Sequence, residues 1–456
     1  MEYLALLMFV CVCLVLLLGY PVAFSLAGTS LAFAGIATAM GYFDSSYLSA
    51  LPSRYYGILS NQTLLAVPLF IFMGGVLERA KIAEDLLTTM AQLFGRVRGG
   101  LAISVTIVGM LLAASTGIVG ATVVTMGMLS LPTMIKRGYD ASFSTGIICA
   151  TGTLGQIIPP SIALVLLGDV LSNSYQLAQL KMGNFSPDTI SVGDLFAGAV
   201  VPGLILVILY IAYSIFMAVF HPDKVPPAAE EDQVQISWAL LVKSLFPPLL
   251  LMAVVLGSIL GGFATPTEAA GVGAFGALIL AQLNGQLSKA NLTSVMQNTV
   301  KITSMVFLIL LGASLFSLVF RGLGGEEIIL NFFEQLPGGA ITATIIVMLV
   351  IFLLGFILDF IEITFVVVPI VAPILLMMDI NPIWLGIMIA VNLQTSFLTP
   401  PFGFALFYLR GVADKAIKTS QIYKGVVPFI IIQLLLLVAL SMWPELVTWL
   451  PNKVYG

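Results

Sequence analysis

Charge is what this sequence has least of. Asp, Glu, Lys and Arg make up only 9% of its 456 residues, against about 25% in soluble domains. There is one histidine, His221, in a polar stretch, so a histidine-based metal site is excluded. The three cysteines, Cys11, Cys13 and Cys149, all lie in apolar runs. They offer neither a disulfide framework nor zinc spacing. No basic tract supports nucleic-acid binding. No Ser/His/Asp set, metal motif or Walker loop is present, so no enzyme chemistry and no ATP hydrolysis is expected. The apolar run from Tyr3 lacks a positive leader, and a retained membrane helix is expected there in place of a signal peptide.

What is there is hydrocarbon: 59% of the residues are apolar. One bilayer crossing takes about 20 apolar residues, and the apolar runs allow many. The fold class is an all-α polytopic membrane protein.

Two stretches break the pattern in the same way. Thr151–Leu164 and Asn392–Leu406 each place a Pro-Pro pair, Pro159-Pro160 and Pro400-Pro401, inside a long apolar segment after a polar run. Proline removes a backbone donor and clashes with the preceding turn, so each helix must break. Bare backbone in hydrocarbon is tolerated only against protein or a wet cavity. Two such breaks in corresponding halves point to a transport site near the bilayer midplane.

The chain divides into a first repeat at 1–219, a cytoplasmic linker at 220–237 and a second repeat at 238–456. The linker carries Pro222, Pro226, Pro227 and the acidic run Glu230-Glu231-Asp232. The first repeat holds an interrupted apolar stretch at about 101–131 and a broken helix at 142–171. The second holds a stretch at about 340–378, interrupted by Asp359-Phe360-Ile361-Glu362, and a broken helix at 382–409. Legs of about 15 residues reach only about 22 Å, short of a roughly 30 Å core. The first stretch therefore reads as a re-entrant helical hairpin with its tip at Ser115 to Gly117, and the corresponding second stretch reads as another. Pro159 and Pro400 are 241 residues apart, as are Pro132 and Pro373. Residues 41–60 and 321–339 read as loops, and 284–299 as a polar arm before a span at 300–320.

Charge sets an orientation. The basic stretches 79–98, 136–137 and 410–424 are expected in the cytoplasm. The acidic loop 321–339 and both termini then fall outside, and the hairpins enter from opposite sides, which makes the repeats inverted.

Half-helix C-terminal ends and unwound carbonyls suit Na⁺, which prefers oxygen ligands. Ser115, Thr116 and Gly117 with Thr151, Gly152 and Thr153 form one candidate cage. Asn392, Gln394, Thr395 and Thr399 with the second hairpin tip form the other. Candidates for an anionic substrate are Gln156, Pro159, Pro160 and Ser161, and Pro400, Pro401 and Gly403, where half-helix N-termini offer amides. Asp359 and Glu362 join them as acids at membrane depth. Packing remains the alternative for each polar residue. Glu268 reads as a helix cap with Thr265 or Thr267.

With these motifs in view the chain resembles the large membrane (DctM-type) subunit of tripartite ATP-independent periplasmic (TRAP) transporters over nearly its whole length. The carriers are Val67–Gly75, Gly152 with Gln156–Ser161, Gly193–Gly198, Ala264–Ala270 and Leu398–Gly403. The resemblance implies a bacterial inner-membrane, Na⁺-driven importer of organic acids working by an elevator motion. It implies as partners a small membrane subunit and a periplasmic substrate-binding protein, neither expected to be fused here. No cofactor is implied beyond Na⁺ as coupling ion. The rivals are an intramembrane enzyme, a passive channel and a stand-alone carrier of the related dicarboxylate class.

Overall fold

A computed structural model describes residues 3–80, 82–94, 97–226 and 238–456. Lys81, Arg96 and the linker's Pro227 and Glu230-Glu231-Asp232 lie outside the described residues. Among the described residues the structure is helical, without strands. In chain order the first helices are α1 Leu4–Leu17, α2 Val22–Ala39, α3 Leu51–Leu59, α4 Ala66–Arg79, α5 Ile82–Leu93, α6 Gly100–Thr116 and α7 Val119–Lys136. Then come α8 Ala141–Thr153, α9 Ile162–Lys181, α10 Val192–Phe220, α11 Trp238–Leu260, α12 Pro266–Leu283, α13 Lys289–Gly322, α14 Gly325–Glu334 and α15 Gly339–Leu354. The last are α16 Phe360–Glu362, α17 Val368–Leu376, α18 Pro382–Leu398, α19 Phe404–Val412, α20 Thr419–Met442 and α21 Glu445–Tyr455. By length and composition, α2, α7, α10, α13 and α20 could each cross a membrane, and 45–79 is a sixth candidate if its 53° bend lies within one span.

Local chemistry accounts for the boundaries. Pro21 is the N-cap of α2, with ψ at 132° outside the helix, where its missing N–H breaks no helical hydrogen bond. Asp140 caps α8 by accepting from the Phe143 amide at 2.9 Å. Thr265 and Glu268 form a reciprocal capping box on α12, as the sequence suggested. The proposed loop 41–60 contains a 3₁₀ turn, Ser45–Ala50, and then α3, with Pro52 in its first turn. The proposed loop 321–339 contains α14. The arm 284–299 and the span after it are largely one helix, α13, of 34 residues.

The chain forms two compact units. The first comprises Met1–Leu65, Leu166–Ser191 and Lys301–Gly386. In it α1 turns its small, buried stripe of Ala5, Met8 and Val12 inward and leaves Leu7, Val10, Leu14 and Leu17 exposed. Such an apolar outer face suits lipid. Phe9 meets Phe316 in a tilted contact at 6.2 Å, and Phe316 stacks on Phe320 at 5.7 Å. Helix α2 reaches α13 at Gly312, where a methyl would stand 2.6 Å from the Ala23 carbonyl oxygen.

The second unit comprises Ala66–Val165, Val192–Val300 and Ile387–Gly456. Its helices meet at small residues. A methyl on Gly273 of α12 would lie 2.6 Å from the Met73 sulfur of α4. Where α8 crosses α20, a methyl on Gly146 would land on the Gly425 carbonyl, and one on Gly425 would land on the Ser142 carbonyl. Membrane helices approach this closely only through glycine and its small relatives.

Candidate functional site

The polar residues of the second unit gather at three chain interruptions. The first lies between α6 and α7, which pack together as a helical hairpin. Gly117 caps α6 in the left-handed region, φ 61°, and its amide donates to the Ala113 carbonyl at 2.9 Å. Only glycine adopts that conformation at no steric cost. The hydroxyls of Ser115 and Thr116 donate to the Leu112 carbonyl at 2.9 and 3.0 Å. Thr116 and Thr122 also pair at 2.8 Å across the turn. The tip is covered: Gly74 of α4 lies against it, with room for no side chain before the Ser115 carbonyl.

The second interruption follows α8. A 3₁₀ turn, Leu154–Gln156, leads into the Pro159-Pro160 break, and α9 starts at Ile162. The whole run Thr151–Val165 is buried. Thr151 and Thr153 donate their hydroxyls backward into α8, to Ile147 and Ala150 at 2.8 Å each. Each oxygen keeps lone pairs, so each remains a possible cation ligand. Ser161 bridges the break by donating to the Gly155 carbonyl at 2.8 Å. Gly117 meets the start of α9, since a methyl there would be 3.1 Å from the Ile162 amide nitrogen. The structure thus brings Gly117 against the start of α9, and Gly152 against Val123 of α7.

The third interruption is Thr399–Gly403, between α18 and α19. Thr395 and Thr399 donate one turn back, to Val391 at 2.8 Å and Thr395 at 2.7 Å. Asn392 through Leu398 are buried, whereas Pro401 and Phe402 are exposed. The second break therefore reaches the surface of its unit, unlike the first. Both Pro-Pro bonds are cis.

The two breaks are joined. Gln394 donates its side-chain amide to the Thr153 hydroxyl at 3.3 Å, with both residues fully buried. Sequence reading had assigned them to separate cages. Three residues after Thr153, Gln156, 2% exposed, has no hydrogen-bond partner at either amide atom among the described residues. Buried polar groups are almost always paired. Gln156 thus presents a donor and an acceptor to a ligand or water.

Asp359 and Glu362 belong to the first unit. The chain is interrupted after α15, and Asp359 caps α16 by accepting from the Phe360 amide at 2.7 Å. Glu362 closes the box by accepting from the Asp359 amide at 3.0 Å. Both carboxylates thus hold the turn of the second hairpin, whose arms α15 and α17 pack together.

Sequence reading missed one polar pair. Gln433 donates to the Tyr210 hydroxyl at 2.8 Å, between α20 and α10, with both side chains fully buried. The signal was available: Gln433 is the one polar residue in Phe429–Leu440, and a polar group inside a span seeks a partner on another helix.

Comparison with known proteins agrees with this architecture. Residues 9–446 match the family described as "Tripartite ATP-independent periplasmic transporter, DctM component". A C4-dicarboxylate TRAP transporter large permease protein of Vibrio cholerae is 30% identical, covering 99% of this chain and 98% of that protein. An ectoine/5-hydroxyectoine TRAP transporter large permease protein of Ruegeria pomeroyi is 28% identical, covering 98% and 99%. Among solved structures, the YdaH transporter of Alcanivorax borkumensis has a similar fold, with a TM-score of 0.62 at 14% identity over 98% of this chain and 99% of that one.

Proposed function

The chain belongs to the DctM component family of tripartite ATP-independent periplasmic transporters, and from that premise we propose that it imports an organic acid by coupling to Na⁺. It is a large permease subunit and a multi-pass protein of the inner membrane. The substrate is a carboxylate, handed over by a periplasmic binding protein while a small membrane subunit completes the assembly. Relatives named for C4-dicarboxylates, ectoine and sialic acid keep the class at organic acids.

The observation that carries this reading is the Gln394–Thr153 hydrogen bond. It joins two helix breaks through residues 241 positions apart, the same offset that relates the two Pro-Pro pairs. A contact between corresponding positions is what paired repeats predict about their common axis, and it supports inverted repeats around a shared site. Around that bond lie hydroxyl oxygens, the C-terminal ends of α6 and α8, and the unpartnered Gln156. Oxygen ligands at the negative ends of helix dipoles suit Na⁺. The amides at the start of α9 and α19 suit a carboxylate. No His, Cys, Asp or Glu cluster of three exists among the described residues, and this site would bind Na⁺ through neutral oxygens. An elevator movement follows in this reading, because unwound backbone must keep its protein cover while the site changes sides.

The test is uptake into proteoliposomes containing both membrane subunits, with the binding protein added outside and a Na⁺ gradient imposed. Uptake should need Na⁺ and the binding protein. Uptake by this chain alone would favour the stand-alone carrier. Thr153→Ala removes one neutral ligand, a loss of about 1 kcal/mol, so the half-saturating Na⁺ concentration should rise roughly fivefold. An unchanged Na⁺ dependence at normal expression would assign Thr153 to packing.

A further inference from the structure

The first unit contains a cavity of about 560 Å³ that shares no residue with the polar interruptions described above. Three stretches far apart in sequence line it: α3 with the turn after it, the second half of α9, and α13, closed by apolar residues such as Phe365 and Pro369. Its charged lining residues are Arg54, Asp169 and Arg321.

Two of the three are already engaged. Asp169 accepts from the Asn61 side-chain amide at 2.9 Å. Arg321 grips Glu326 through Nη2 at 2.6 Å and Nε at 2.8 Å. The other Glu326 oxygen is taken by Lys181 at 3.4 Å. Arg54 makes no hydrogen bond or ion pair among the described residues, although it is partly buried and feels both Arg321 and Glu326. Three cations, Arg54, Arg321 and Lys181, stand against two carboxylates, Asp169 and Glu326, which leaves one net positive charge; Arg321 and Lys181 share Glu326, and Arg54 is the cation without an ion pair among the described residues. Two guanidiniums lining one cavity also repel each other, which an anion between them would relieve. A planar, five-donor fork left without acceptors is matched by a carboxylate, two oxygens to two N–H groups. The volume falls within the range of small-molecule pockets, and the Phe365 and Pro369 wall supplies an apolar side for a carbon skeleton.

We propose that this cavity is a second carboxylate site, in which Arg54 holds a carboxylate of a small organic acid. The inference rests on the uptake reading for its choice of anion. Arg321 opens the acidic stretch that charge places outside, so an acid would meet Arg54 on the side from which import begins. In this reading the cavity is a receiving site.

The experiment uses the full chain with Cys11, Cys13 and Cys149 replaced and Ser317→Cys as a reporter on the cavity wall. The protein is held in phosphatidylcholine nanodiscs or in nanodiscs containing phosphatidylglycerol. Labelling rates with anionic and cationic methanethiosulfonates are compared. The anionic reagent should react faster. Pyruvate, succinate or benzoate should slow labelling, and their neutral amides should not. Arg54→Gln should weaken that protection by about tenfold or more, as expected for loss of a charge-assisted pair, and Arg54→Lys should retain part of it. Protection by the amides, or equal protection in Arg54→Gln, overturns the proposal. So does slowing by phosphatidylglycerol without any effect of the acids, which would assign the cavity to a lipid headgroup. The acid-versus-amide comparison in the Arg54 protein stands even if Arg54→Gln fails to fold. Parallel uptake assays separate the readings: uptake without protection leaves the transport proposal standing and this one refuted, whereas loss of both refutes both.

Discussion

A buried side-chain amide costs least when its donor and acceptor find partners. Gln433 answers one end, donating to the Tyr210 hydroxyl at 2.8 Å across α20 and α10, while its Oε1 has no partner among the described residues. Tyr210 also packs edge-on against Phe429 with ring centres 5.2 Å apart, so its ring and hydroxyl are fixed together. Replacing Gln433 with Leu or Tyr210 with Phe should each destabilise the detergent-purified protein. The double replacement should cost less than the two single losses combined, with a coupling of about 0.5–1.5 kcal/mol. Thermal unfolding of the four proteins gives the cycle, and strict additivity would show that the bond contributes nothing. Gln156 goes further, since both its amide atoms lack partners among the described residues. The pairing of Gln394 with Thr153 was not legible in the sequence, because nothing local records which residue 241 positions away will be met. Arg54 and Arg321 were legible only as loop charges for the same reason.

At the scale of elements, the breaks were legible and some joins were not. Proline acts on its own turn, so both Pro-Pro interruptions stand where the sequence put them. Glycine does the same at the first hairpin tip, where α6 ends at Thr116. Helix α13 was misread because a change of composition was taken for a boundary. From Lys289 to Leu311 there is neither glycine nor proline, so nothing stops the hydrogen-bond ladder where polar residues give way to apolar ones. Helices α3 and α14 were hidden by the opposite effect, being short and polar enough to pass for loops. The tip of the first hairpin offers a direct test. Gly117→Ala forces a methyl into the left-handed region at φ 61° and toward Ile162. That costs on the order of 1–2 kcal/mol, so the thermal midpoint should fall. Gly35→Ala in α2, where a methyl meets nothing within 4 Å, should leave it unchanged or raise it slightly. Equal midpoints for both variants would contradict the assigned turn.

For the molecule as a whole, charge leads to an expectation of which way it faces. Basic stretches flank the first hairpin and follow α19, while α14 carries Glu326, Glu327 and Glu334. Retention of positive loops in the cytoplasm gives the expected orientation. In the cysteine-free background, Glu84→Cys on α5 and Glu334→Cys on α14, both at exposed positions, should label from opposite sides of sealed vesicles. Labelling from one side only would remove the inverted arrangement and, with it, the outward placement of Arg54.

The crossing of α8 and α20 carries a consequence for inheritance. At Gly146 and Gly425 each backbone occupies the space a side chain would need on the other. Every missense change reachable from a glycine codon by one base adds at least a β-carbon. No gradual route therefore leads away from either residue, and compensation would require the two helices to move apart together. In a library of random variants these two codons should be among the most silent in the gene, whatever substrate the selection uses.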